Sequence, residues 1–133
     1  MSDKEITKKM ALREKQSKSN ELTVLTDSNF YSEITKHKLM VVDFWAQWCG
    51  PCAEVSPVME ELASEYTDRV TFGKLNVDDN PMVSETYGVD SFPAILVFKQ
   101  GRQVDGLVRS AEKSYIESRI KPYLEDKLDA VPE

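Results

Sequence analysis

Both cysteines of this 133-residue chain fall within one short stretch, Trp48-Cys49-Gly50-Pro51-Cys52, where a strand pattern gives way to a helical one. Ahead of it, Leu39-Met40-Val41-Val42-Asp43-Phe44-Trp45 reads as a mostly apolar strand. Behind it, Val55, Met59, Leu62, Ala63 and Tyr66 recur at three- and four-residue steps, the signature of an amphipathic helix. A cysteine pair at a helix start is suited to thiol–disulfide chemistry. Free amides and the positive end of the helix dipole favour a thiolate on Cys49, and Cys52 is close enough to displace a mixed disulfide formed there. Two structural readings compete with this one. A stabilising crosslink is disfavoured because closing so short a loop removes little entropy from the unfolded chain. Half of a zinc site is disfavoured by count, since four ligands are wanted and His37 is the single histidine.

The length suits one domain with a hydrophobic core of its own. No apolar run approaches the roughly 18–20 residues that span a membrane, so no membrane association is expected. The opening Met1-Ser2-Asp3-Lys4-Glu5 begins no apolar run, and we expect no secretory signal. A reactive pair in a reducing cytoplasm then fits better than a secreted disulfide framework. The net charge of −6 speaks against nucleic-acid binding. That charge is unevenly spread. Residues 1–20 hold six basic side chains (Lys4, Lys8, Lys9, Arg13, Lys15, Lys18) against three acids, a net of +3, so the remainder carries −9. We therefore divide the chain into a basic, solvated N-terminal extension (1–20) and a folded domain (21–133), with Gln16-Ser17-Lys18-Ser19-Asn20 as linker.

Strand and helix signals alternate along the domain. Leu22-Leu25 is a short strand. Thr26-Asp27-Ser28 offers caps for a helix holding Phe30, Tyr31 and Ile34. After the central strand and the cysteine-bearing helix, which Pro57 should kink, comes a strand over Val70-Val77. A short helix around Met82-Tyr87 stops at Gly88. Ala94-Lys99 and Gln103-Val108 pair as a hairpin through Gln100-Gly101-Arg102. The last helix, with Tyr115, Ile116, Ile120 and Leu124, should break near Ile120-Lys121 because of Pro122. The order β-α-β-α-β-α-β-β-α predicts an α/β fold, a mixed central sheet with helices on both faces.

Asp43 is the most conspicuous single residue. It interrupts an apolar run that, in a central strand covered on both faces, should be buried throughout. A buried carboxyl with little pairing has a raised pKa and can accept a proton near neutrality. Gly50 lets the backbone turn tightly and a partner approach, and Pro51 suits an early helical position where its missing N–H costs nothing. His37 lies in the polar connection Thr35-Lys36-His37-Lys38 and is expected at the surface without a role.

The stretch Asp43-Phe44-Trp45-Ala46-Gln47-Trp48-Cys49-Gly50-Pro51-Cys52 resembles the thioredoxin family. Further matches follow in the family's order: Lys74-Leu75-Asn76-Val77-Asp78, Tyr87-Gly88-Val89, Phe92-Pro93 and Phe98-Lys99-Gln100-Gly101. The likeness covers the chain from about Leu22 to about Leu128. It implies the thioredoxin fold and a monomeric protein-disulfide reductase that carries electrons on its own dithiol, without a bound cofactor. Its partners would be a separate thioredoxin reductase and disulfide-containing target proteins. By the same resemblance Asp43 is the buried base that deprotonates Cys52, through water, and Lys74 stands near Asp43 and moderates its charge. The resemblance also implies that Phe92-Pro93 is a cis-proline loop facing the cysteines, and Trp48, Pro51 and Phe92 should form an apolar rim. Trp45 packs beneath the loop.

The chain also departs from the family's pattern. Ala53 replaces the lysine that commonly follows the second cysteine, Phe92 is larger than the residue usual before the cis-proline, and Arg109 stands where many members have glycine. If Arg109 reaches the rim, it adds a bulky cation to the docking surface. Two other functions stay open on sequence alone: a thiol oxidase or disulfide isomerase, and a binding subunit whose dithiol is incidental. The absence of histidine between the cysteines favours the reductase over the former.

Overall fold

Strand and helix alternate through residues 21–124, the part of the chain described by a computed structural model. The basic extension (1–20) and the end of the domain beyond Leu124 lie outside the described residues. The elements are β1 (Thr23–Leu25), α1 (Phe30–Lys36), β2 (Leu39–Trp45), α2 (Cys52–Glu65), β3 (Thr71–Asn76), α3 (Pro81–Thr86), β4 (Ala94–Lys99), β5 (Arg102–Val108) and α4 (Lys113–Ile120). The five strands make one mixed sheet in the order β1-β3-β2-β4-β5. β3 runs parallel to both β1 and β2, whereas β4 is antiparallel to β2 and β5. Every element follows the order expected from the sequence. The helix α2 runs unbroken through Pro57, and α4 ends at Ile120, giving way to a 3-10 turn over Lys121–Tyr123 as Pro122 requires.

β2 lies at the centre of the sheet and distributes its side chains to two apolar layers. Met40, Val42 and Phe44 enter one layer with Phe30, Ile34, Leu75, Leu96 and Phe98; Leu39 and Val41 enter the other with Val55, Met59, Leu62, Ile95, Ile116 and Ile120. Period-two alternation puts Asp43 on the second face, and its 1% exposure shows how completely the sheet covers it. The first layer is locked by aromatic contacts, Phe30 meeting Phe98 edge-on at 5.4 Å between centroids and Tyr87 meeting Phe98 at 5.2 Å.

The turns explain why the strands align as they do. Gln100 and Gly101 both take positive φ (51° and 83°), the two-residue hairpin geometry that matches strand twist. At Gly88, φ is 67°; Gly88 N–H donates to Glu85 O and Val89 N–H to Ser84 O at 2.8 Å, closing α3 around a left-handed residue.

Of the residues expected to cap α1, Thr26 serves and Asp27 is used elsewhere. The residue before α1 is Asn29, whose side chain makes no cap bond. Thr26 caps the turn leading in, as expected: its hydroxyl accepts from Asn29 N–H, Asn29 Oδ1 accepts from Thr26 N–H, and Phe30 N–H donates to Thr26 O. The Asp27 carboxylate accepts from Met82 N–H (3.1 Å) and Val83 N–H (2.9 Å), capping α3 from more than fifty residues away. A charged cap at a helix N-terminus is favoured over a neutral one. Replacing Asp27 by alanine should lower stability by about 1–2 kcal/mol. Urea unfolding should show this as a lower midpoint with an unchanged slope.

Candidate active site

β2 delivers the chain to the redox loop. Cys49 N–H donates to Ala46 O at 3.1 Å, a tight turn that folds the loop back over the strand end. α2 starts at Cys52, with Pro51 before it in helical conformation (φ −62°). Proline's fixed φ suits that place. Cys49 and Cys52 are joined as a disulfide with 5.4 Å between their Cα atoms, and both are buried against the first apolar layer.

The amides expected to be free at the start of α2 are taken. Cys52 N–H donates to Cys49 O, Ala53 N–H to Gly50 O and Glu54 N–H to Pro51 O, at 3.1–3.2 Å. These bonds reach back only three residues, the 3-10 pattern common at helix starts. With these N–H groups engaged, the support left for a Cys49 thiolate once the disulfide is reduced is the positive end of the α2 dipole.

A cleft of about 290 Å³ opens beneath the loop, bordered by Asp43, Trp45, Cys49, Cys52 and Lys74 among others. Asp43 Oδ1 is buried and accepts no hydrogen bond. Burial pushes the Asp43 carboxyl up from 3.8 to about 7, against the opposing pull of the Lys74 ammonium. Lys74 is the direct cross-strand partner of Asp43 in the β2–β3 register, and the antiparallel neighbour on β4 is Ile95. The structure thus brings together both cysteines, Asp43 and Lys74 around one cleft, with Trp45 half-buried beside them.

The rim is aromatic. Trp48 is 66% exposed and meets Phe92 edge-on at 5.6 Å between ring centroids. The Phe92–Pro93 peptide is cis, and Pro93 is buried at the head of β4. Gly50 and Pro51 are exposed, and a Cβ added at Gly50 would meet nothing within 4 Å. Arg109 is exposed immediately after β5.

Sequence reading missed two positions. The indole N–H of Trp48 donates to Asp78 Oδ1 at 3.1 Å, so a carboxylate thirty residues away fixes the ring. Asp78 stands at the end of a stretch already quoted, but nothing local assigns it that role. His37, expected at the surface, is half-buried: its ring contacts Glu33 Oε1 at 3.4 Å and Thr71 Oγ1 at 3.2 Å, tying α1 to β3 away from the cysteines. Among the described residues no group of three His, Cys, Asp or Glu side chains is arranged to hold a metal, and no helix is long and apolar enough to cross a membrane.

Comparison with known proteins gives a consistent answer. The thioredoxin family model matches residues 21–122. A thioredoxin from Alicyclobacillus acidocaldarius subsp. acidocaldarius is 44% identical over 101 residues, 76% of this chain and 96% of the relative. One from Pyropia yezoensis is 43% identical over 101 residues, 75% of this chain and 94% of the relative. Among solved structures, a mutant thioredoxin from Halobacterium salinarum NRC-1 superposes with a TM-score of 0.73 at 28% identity, covering 86% of this chain and 96% of that one.

The Asp43 carboxyl sets a pH dependence of stability. Its folded pKa lies above its unfolded one, so the folded state holds the proton more tightly. The stability this contributes is complete below about pH 4 and lost as pH rises through about 7. Asp43→Asn abolishes that loss. Denaturation of the oxidised protein should show the variant gaining on the wild type between about pH 4 and pH 8.5, by up to about 4 kcal/mol. A gap constant across that range would mean that Asp43 is ionised throughout.

Proposed function

The chain belongs to the thioredoxin family, and from that premise we propose a division of labour among the residues of its site. Its activity is protein-disulfide reduction, with the Cys49–Cys52 pair as the two-electron carrier. The observation that carries the finer reading is the cleft shared by the cysteines and a buried Asp43 carboxyl whose Oδ1 accepts no hydrogen bond.

In the first step the Cys49 thiolate attacks one sulfur of a target disulfide. A Cys49–target bond forms, the target S–S bond breaks, and its other sulfur leaves as a thiolate. In the second step Cys52 passes its proton to Asp43 and attacks Cys49 Sγ. The Cys49–Cys52 bond forms, and the remaining target sulfur departs with the electron pair. Asp43 suits the role because its pKa of about 7 lets it accept a proton near neutral pH and give it up again. Lys74 limits how far burial raises that carboxyl.

Gly50 and Pro51 keep the ring short, and Trp48, Pro51, Phe92 and Pro93 offer an apolar face to an extended target segment. Arg109 adds a cation to that docking surface and biases it toward acidic targets. A thioredoxin reductase would return the disulfide to the dithiol, and the disulfide itself serves as the redox group with no further cofactor. We place the protein in the cytoplasm as a monomer, with residues 1–20 as a basic extension to the domain (21–133). Its acidic balance fits protein targets rather than nucleic acid or a membrane surface.

The equilibrium potential of the Cys49–Cys52 pair tests the direction of the reaction. A value at or below about −250 mV is expected, and one above about −200 mV would make the protein an oxidant or isomerase. A kinetic experiment tests the role of Asp43. Asp43→Asn should slow release of the mixed disulfide at least about tenfold while leaving its formation nearly unchanged. Equal slowing of both steps would remove Asp43 from the role of base.

A further inference from the structure

The proton that leaves Cys52 must cross the cleft to reach Asp43, and the groups bordering that space differ in what they can do with it. The Lys74 ammonium and the Trp45 indole only donate, and the Gln47 amide is exposed. Ala53, immediately after Cys52, carries no polar side-chain atom. Ser56 alone brings a hydroxyl to the cleft, a group that donates and accepts through one atom. It stands four residues after Cys52 on α2, one turn along the same helical face, and it is half-buried. Asp43 borders the same cleft, 1% exposed, with Oδ1 accepting no hydrogen bond.

We propose that Ser56 is a positioning residue for the second half of the reaction, its hydroxyl holding the proton path between Cys52 and Asp43. This rests on Asp43 as the base. As Cys52 attacks Cys49 Sγ, its proton passes by way of the Ser56 hydroxyl and intervening water to Asp43 Oδ1. The hydroxyl gives up one proton as it gains another and ends unchanged. Sulfur–sulfur exchange proceeds as already written, with no other oxidant or reductant. The titratable or charged groups facing the path are Lys74 from β3 and the two cysteines. β4 presents Ile95 beside Asp43, and α4 contributes Ile116 and Ile120 to that layer, its Glu117 carboxylate being engaged by the Tyr66 hydroxyl.

The test is stopped-flow reaction of the reduced protein with a two-chain peptide disulfide whose halves carry different fluorophores. Release of the first half reports formation of the mixed disulfide, and release of the second reports its resolution. Ser56→Ala should slow resolution by about threefold to tenfold, the equivalent of one hydrogen bond, and leave formation unchanged. Ser56→Thr, which keeps the hydroxyl, should resolve at the wild-type rate. In an Asp43→Asn background Ser56→Ala should cost nothing further, because the two act on one path. The slowing should also depend on pH, shrinking as bulk base takes over proton removal. If Asp43→Asn slows resolution but Ser56→Ala does not, or if the two losses multiply, the Ser56 proposal falls and Asp43 stands. If Asp43→Asn leaves resolution untouched, both readings fall together.

Discussion

Burial of β2 on both faces is the constraint from which the rest of this structure follows. A central strand flanked by β3 and β4 and covered by helices has no solvent to offer its side chains, and Met40 to Phe44 are accordingly 0–1% exposed. Met40, Val41, Val42 and Phe44 answer with apolar side chains. Asp43 does not, and desolvation turns an ordinary carboxyl into one that exchanges a proton near neutrality. The same strand ends just before Ala46, Gln47 and Trp48, so its rigidity is handed directly to the redox loop. Chemistry and core packing are here two results of a single placement.

The site has a dry side and a reactive side. Both cysteines belong to the apolar layer that contains Phe44, Ala94 and Phe98, whereas Asp43 follows the alternation of Leu39 and Val41 into the other layer. The cleft beneath the loop is where the two meet. Above it, Trp48 and Phe92 meet edge-on and extend an apolar surface out to solvent. Phe92, larger than the residue usual before the cis-proline, supplies one of the two rings that make this contact.

Much of this could be read from the sequence because local patterns report local structure. Alternation at β2, the three- and four-residue steps of α2, Gly88 and Gly101 at positive φ, and Pro122 after α4 each act within a few residues of themselves. The family motif carried the rest of the site, since Lys74 and Phe92-Pro93 lie far from the cysteines in sequence. What could not be read shares a physical cause. Asp27 caps α3, Asp78 holds Trp48, and His37 meets Thr71, each through a polar bond joining segments about thirty or more residues apart. An acidic or imidazole side chain in a loop has many possible partners, and only the folded chain selects one. The engaged amides at the start of α2 were hidden for a different reason. They close three-residue turns onto Cys49, Gly50 and Pro51, and the rule for helix starts treats such N–H groups as open.

The polar bonds around Asp27 and Asp78 form a continuous seam. Asp27 N–H donates to Asn80 Oδ1, Asn80 Nδ2 donates to Asn76 O, Asn76 Oδ1 accepts from Asp78 N–H, and Asp78 accepts from Trp48. Asp27 itself grips the start of α3. Segments that share such a seam open together, as one cooperative unit in hydrogen exchange. The corner after β1 and the rim tryptophan would therefore loosen in the same event, although the two are about twenty residues apart in the chain. A target that pulls on Trp48 as it docks would then be felt as slowed or quickened amide exchange at Met82 and Val83, well outside its own footprint.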